Sequence, residues 1–82
     1  MKVEYSDTAR KQLKKLPKSK QIKVLSKIER LKNDPYAGKK LKGEFKGLRS
    51  LKTWPYRIIY RYLSQDKILF INVIQHRQKV YR

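Results

Sequence analysis

The chain has 82 residues, and 23 Lys and Arg against six Asp and Glu give it a formal charge of +17. So short a chain makes one small domain, residues 1–82, with a thin core, because it buries only roughly 60–65% of the surface it exposes unfolded. With no cysteine there is no disulfide or thiolate site, and no residue set is spaced like a zinc cluster; no metal and no cofactor is expected. Met1-Lys2-Val3-Glu4-Tyr5-Ser6 lacks a signal-peptide apolar stretch, and no run approaches the roughly 20 apolar residues of a membrane span. A soluble, cytoplasmic protein without membrane contact is expected.

Lys2-Val3-Glu4-Tyr5 reads as a short strand. Ser6 or Asp7 can cap a helix whose apolar positions Ala9, Leu13 and Leu16 follow i, i+4, i+7, and Pro17 stops it. Ser19 can cap a second helix in which Ile22, Leu25, Ile28 and Leu31 form one stripe, widened by Val24, until Asn33-Asp34-Pro35 ends it. So short a turn between two helices predicts an antiparallel hairpin.

Residues 36–47, with Gly38, Gly43 and Gly47 among lysines, read as a loop pinned by Leu41 and Phe45. Three strands follow, at about 47–53, 55–63 and 67–75, the last two joined through Ser64-Gln65-Asp66. They predict an antiparallel meander, and with the first strand an α+β fold built on one small, mainly antiparallel sheet. In the last strand Leu69, Ile71 and Val73 fall on one face and Ile68, Phe70 and Ile74 on the other. Two helices cover only one face, so the other is expected to meet a partner protein rather than remain open.

The charge predicts a polyanion partner, nucleic acid or ribosome, at long range. Residues 1–34 carry +7 and residues 35–82 carry +10, and the second half holds Arg49, Arg57, Arg61, Arg77 and Arg82. Arginine's planar fork grips phosphate in a way that lysine's point charge does not. The lysines of the helices, by contrast, read equally well as a solvated surface.

Two clusters come to one end of the predicted sheet: Trp54-Pro55-Tyr56-Arg57 opens one strand, and His76-Arg77-Gln78-Lys79-Val80-Tyr81-Arg82 closes the next. RNA is cleaved without metal when a base takes the 2′-hydroxyl proton, cations stabilise the in-line transition state, and an acid protonates the 5′-oxygen. Arg57 and Arg77 can supply the cations; His76 and Tyr81 can move protons or position the phosphate. Each residue also has an ordinary reading, His76 as a satisfied strand-end residue, Tyr81 as a ring packed on a sheet edge, and Trp54 as packing rather than a base-stacking platform. Arg57 has the strongest claim, because a charge inside an aromatic and β-branched strand needs a reason.

The order strand, helical hairpin, meander, with Lys40-Leu41-Lys42-Gly43, Tyr56-Arg57-Ile58-Ile59-Tyr60 and the terminal His76-Arg77-x-x-Val80-Tyr81, resembles the RelE/ParE superfamily of type II toxins across essentially the whole chain. The resemblance implies a toxin that enters the ribosomal A site, cuts messenger RNA there, and is neutralised by a cognate antitoxin. It makes Arg57, Arg77 and Tyr81 catalytic, and implies basic residues on the preceding strand. RelE carries two lysines spaced by one residue there; counting back from Tyr56-Arg57 puts Leu48 and Ser50 at those positions. Lys52, Arg49 or Lys46 then substitutes through a shift of register, or His76 takes the proton. Arg49, Lys46, Trp54 and Arg82 are the expected RNA and phosphate contacts.

The missing lysine pair keeps two alternatives open: the ParE branch, which shares the fold and poisons DNA gyrase, and a plain RNA- or ribosome-binding module. Retention of Arg57, Arg77 and Tyr81 together favours the nuclease. The antitoxin is expected to bring acidic and apolar side chains, and the toxin to be a monomer alone and part of a larger assembly with its antitoxin.

Overall fold

A computed structural model describes residues 1–76; Arg77, Tyr81 and Arg82 lie outside the described residues. The elements are β1 (Lys2–Tyr5), α1 (Asp7–Lys15), α2 (Lys18–Asn33), β2 (Lys39–Lys40), a single 3₁₀ turn (Gly43–Phe45), β3 (Arg49–Thr53), β4 (Tyr56–Leu63) and β5 (Ile68–His76). They form an α+β fold whose five-stranded sheet has the order β1-β5-β4-β3-β2. Among the described residues only the β1–β5 pair is parallel. The predicted loop 36–47 therefore contains a fifth strand: Lys39 and Lys40 pair with Ser50 and Arg49, and periodicity cannot reveal a strand of two residues.

Ser6 is the cap of α1. Its Oγ accepts from the Ala9 N–H at 2.9 Å and its hydroxyl donates to the Asn72 carbonyl at 2.6 Å, so one side chain closes the helix end and ties it to β5. Ser19 does not cap α2. That helix starts directly after Pro17, which has no capping side chain and whose ring presets the backbone. Across the turn, Gln21 Nε2 donates to the carbonyls of Lys14 and Leu16, satisfying acceptors that the end of α1 leaves open.

The buried face of α2 is Val24, Ile28 and Leu31, while Ile22 is 61% and Leu25 40% exposed. The expected stripe fails for a geometric reason. Each three-residue step falls about 60° short of a full turn, so Ile22 and Leu31 end on opposite sides of the helix. The i, i+4, i+7 set stays within one face. With Ala9 it packs on Ile58, Tyr60, Leu69, Ile71 and Ile74 of the sheet.

The faces of β5 also differ from expectation. Opposite β4, Ile59 pairs with Val73 and Tyr60 with Ile71, so Asn72 is an extra residue, a bulge that inverts the alternation beyond it. Leu69, Ile71 and Ile74 face the core, and Val73 turns to the other side. Nor is that other face left wholly to a partner. Leu41, Phe45 and Leu48 from the chain's own connection border it beside Ile59 and Val73, with Phe45 still 53% exposed.

Candidate active site

The site begins at the turn between β3 and β4, where Trp54-Pro55 carries a cis peptide bond. From this turn the ladder places Lys52 directly opposite Arg57, and Arg57 directly opposite Gln75 of β5. Side chains alternate along a strand, and Leu51, Tyr56 and Ile58 pack toward the helices. The row Lys52-Arg57-Gln75 therefore stands on the face away from the helices. The row beside it is Ser50, Ile59 and Val73.

Arg57 is the hub of this face. It borders a cleft of about 350 Å³ with Phe45, Asn72 and Gln75, a smaller hollow with Lys52, Trp54 and Tyr56, and a third with Lys39, Ser50 and Lys52. The first volume is within the range of small-ligand clefts. An ammonium, a guanidinium and an amide set side by side supply directed donors for the oxygens of a phosphodiester.

The structure brings together Lys52, Trp54 and Arg57 of the residues expected from sequence. Lys52 lies across from Arg57 because Thr53 pairs with Tyr56 through the tight turn, and Ser50 falls two residues further along β3, across from Ile59. His76 reaches the same end of the sheet but the opposite face. It pairs with Tyr56, and the two rings meet edge to face, centroids 5.3 Å apart.

Arg49 lies apart from the row. It pairs with Tyr60, its guanidinium donates to the carbonyls of Tyr36 at 3.1 Å and Gly38 at 2.9 Å, and it stacks 5.0 Å from the Tyr36 ring. Lys46 shares a cavity with Arg49, not with Arg57.

Tyr60 anchors the same connection from within the core. Its Oη accepts from the Gly38 N–H at 2.8 Å and donates to the Pro35 carbonyl at 2.9 Å. Burial pushes the hydroxyl above the ordinary tyrosine value, partly offset by the Gly38 hydrogen bond and by Arg49, with Asp34 adding to the rise. A proton held in this way is the one Tyr60 donates to Pro35.

Two residues of the site escape sequence reasoning. Gln75 is visible only through the register that sets it against Arg57. Asn72, whose buried Oδ1 has no hydrogen-bond partner among the described residues, is the one amide in the apolar run from Ile68 to Ile74, and that interruption is its signal. Bulges of this kind are over-represented beside active sites.

Comparison with known proteins assigns this basic α+β chain to a class of small toxins. The family model of the ParE toxin of type II toxin–antitoxin systems matches residues 3–81, and the chain belongs to that family, within the RelE/ParE superfamily.

A chain of the RelBE2 toxin–antitoxin complex of Mycobacterium tuberculosis is 31% identical, with 93% of this chain and 96% of that one covered and a TM-score of 0.85. A chain of the archaeal RelE–RelB complex of Pyrococcus horikoshii is 26% identical, with 93% of each covered and a TM-score of 0.79. The YoeB/ParE toxin of Agrobacterium tumefaciens, 21% identical with 93% of this chain and 98% of that one covered, shares the fold at a TM-score of 0.83. No curated protein sequence matches.

Proposed function

We propose that this type II toxin is a metal-independent, ribosome-dependent mRNA endonuclease that inhibits translation in the cytoplasm. The observation that carries the reading is the in-register row of Lys52, Arg57 and Gln75 on the open sheet face. In the reaction Lys52 takes the 2′-hydroxyl proton, the 2′-oxygen attacks the adjacent phosphorus in line, and the bond to the 5′-oxygen breaks. The products are a 2′,3′-cyclic phosphate and a 5′-hydroxyl. Arg57 and Arg77 stabilise the charge that develops on the phosphoryl oxygens, and Tyr81 protonates the leaving oxygen. His76, on the other face, positions the strand end through Tyr56 instead of accepting the proton.

The antitoxin follows from relatives crystallised as RelBE2 and RelE–RelB complexes. For this chain we infer a cognate antitoxin with acidic and apolar contacts, a monomeric toxin without it, and a larger assembly with it. A second reading, a gyrase-directed toxin without nuclease activity, is favoured by the ParE description of the matching family model.

Primer extension on a message held in programmed ribosomes separates the two. The nuclease reading expects cuts within the A-site codon that vanish in a folded Arg57→Ala/Arg77→Ala double mutant. Growth inhibition without cuts, accompanied by DNA-damage signalling, would move the assignment to gyrase.

A further inference from the structure

A second cluster of cations and aromatic rings lies beyond the Lys52-Arg57 row. A cavity of about 570 Å³ at the β2 edge of the sheet is lined by Lys40, Lys42, Lys46 and Arg49 together with Tyr36 and Tyr62. Leu41 and Leu48 belong both to this cavity and to the cleft that holds Arg57, so the two hollows share a wall. No carboxylate pairs with any of the four cations among the described residues; the ion pairs there involve Lys2, Arg10 and Lys32.

The aromatic part is built rather than incidental. Tyr36 meets Tyr62 edge to face, centroids 5.3 Å apart, and Arg49 covers its ring at 5.0 Å while fixed to two backbone carbonyls. The Tyr36 ring nevertheless stays exposed, at 56% for the residue. A ring oriented by two neighbours, with accessible surface and three lysines around it, matches the way single-stranded nucleic acid is held, by stacking of a base and by cations along the backbone. An acidic peptide would use the charges and leave the oriented ring without a purpose.

We propose that Tyr36, Tyr62, Arg49, Lys40, Lys42 and Lys46 form a second binding site for single-stranded RNA, one that grips a segment beyond the shared Leu41–Leu48 wall. The site works by stacking and charge and takes no part in bond breaking. It stands whether or not the Lys52-Arg57 row cuts RNA.

The test is fluorescence anisotropy with a labelled eight-nucleotide oligoadenylate and the whole chain, across a range of salt. Lys42→Gln/Lys46→Gln should lower the slope of log affinity against log salt by about 1.4, taking about 0.7 per single-strand phosphate contact. Tyr36→Leu should weaken binding roughly 5- to 150-fold, the effect of losing one stacked base, whereas Tyr36→Phe should bind like wild type. Lys52→Ala/Arg57→Ala should keep the Tyr36-dependent part, which separates failure at this site from failure of the nuclease assignment.

Wild-type affinity in Tyr36→Leu would overturn the site. So would complete loss of binding in Lys52→Ala/Arg57→Ala, or displacement of the RNA by an octaglutamate peptide at equal concentration.

Discussion

Lys52 and Arg57 face each other as a directly opposed pair across the β3–β4 ladder, two like charges where a sheet ordinarily sets complementary ones. Like charges so placed weaken a ladder, and cross-strand pairs contribute roughly 0.2–1 kcal/mol. Lys52→Thr should therefore raise stability by about that amount while reducing toxicity. Urea midpoints and growth assays on the same variant check both halves; a loss of stability would mean that the pair is not repulsive.

The phase of α2 is testable in the same way. Leu31→Ala and Ile28→Ala, both in the buried cluster, should each lose about 2–5 kcal/mol, enough to bring a small domain close to unfolding. Ile22→Ala, on the exposed side of the same helix, should stay within about 0.5 kcal/mol of wild type. Equal losses at Ile22 and Ile28 would restore the stripe that the sequence alone predicts.

Gly38 has no room for a side chain. A Cβ there would lie 2.6 Å from Tyr60 Oη and 2.7 Å from its Cε1, in the core rather than in open solvent. Gly38→Ala should cost about 1–3 kcal/mol and loosen the connection that Tyr60 and Arg49 hold. Faster amide exchange across residues 36–49, with β1 and β5 unchanged, is the expected pattern.

Alkaline pH should destabilise the fold through two tyrosines. Burial raises Tyr60 above its ordinary value of 10.0, and burial followed by the Glu29 charge does the same to Tyr5. The folded chain keeps these protons longer than the unfolded one. Their contribution is complete below about pH 10 and is lost as the pH climbs through the folded values. Lysine neutralisation in the same range relieves repulsion and works against this loss, so the informative quantity is the difference from Tyr60→Phe. The wild type should lose more stability between pH 8.5 and pH 11 than that variant does.

How far the sequence carries depends on how local each signal is. Ser6, Pro17 and the long alternating strands declare themselves within a few residues, and the α+β order follows from them. The two-residue β2 and the bulge at Asn72 leave no periodic trace, because each is defined by pairing with a distant strand. The same split governs the site. Arg57 stands out as a charge in an apolar strand, whereas its alignment with Lys52 and Gln75, and the separation of Arg49 and His76 from it, are facts of register. Counting back along the chain puts Leu48 and Ser50 where the resemblance implies lysines; that the basic side chain opposite Arg57 is Lys52 is visible only in the pairing across the turn.

The bulge at Asn72 also makes the end of β5 a strand with two reading frames. Val73 and Ile74 are adjacent and of similar size, so either can fill the core while the other lies outside. The apolar pattern is indifferent between them. What the bulge decides is which side chain accompanies Arg57: Gln75 with Asn72 left out of the ladder, Ile74 if Asn72 were instead paired with Ile59 and the strand beyond it slid by one residue. The bulge thus sets a polar amide rather than a branched aliphatic side chain beside Arg57, and keeps that amide out of the buried row of Tyr56 and Ile58. Apolar packing leaves the frame open, and the polarity of Gln75, which one frame exposes and the other buries, closes it.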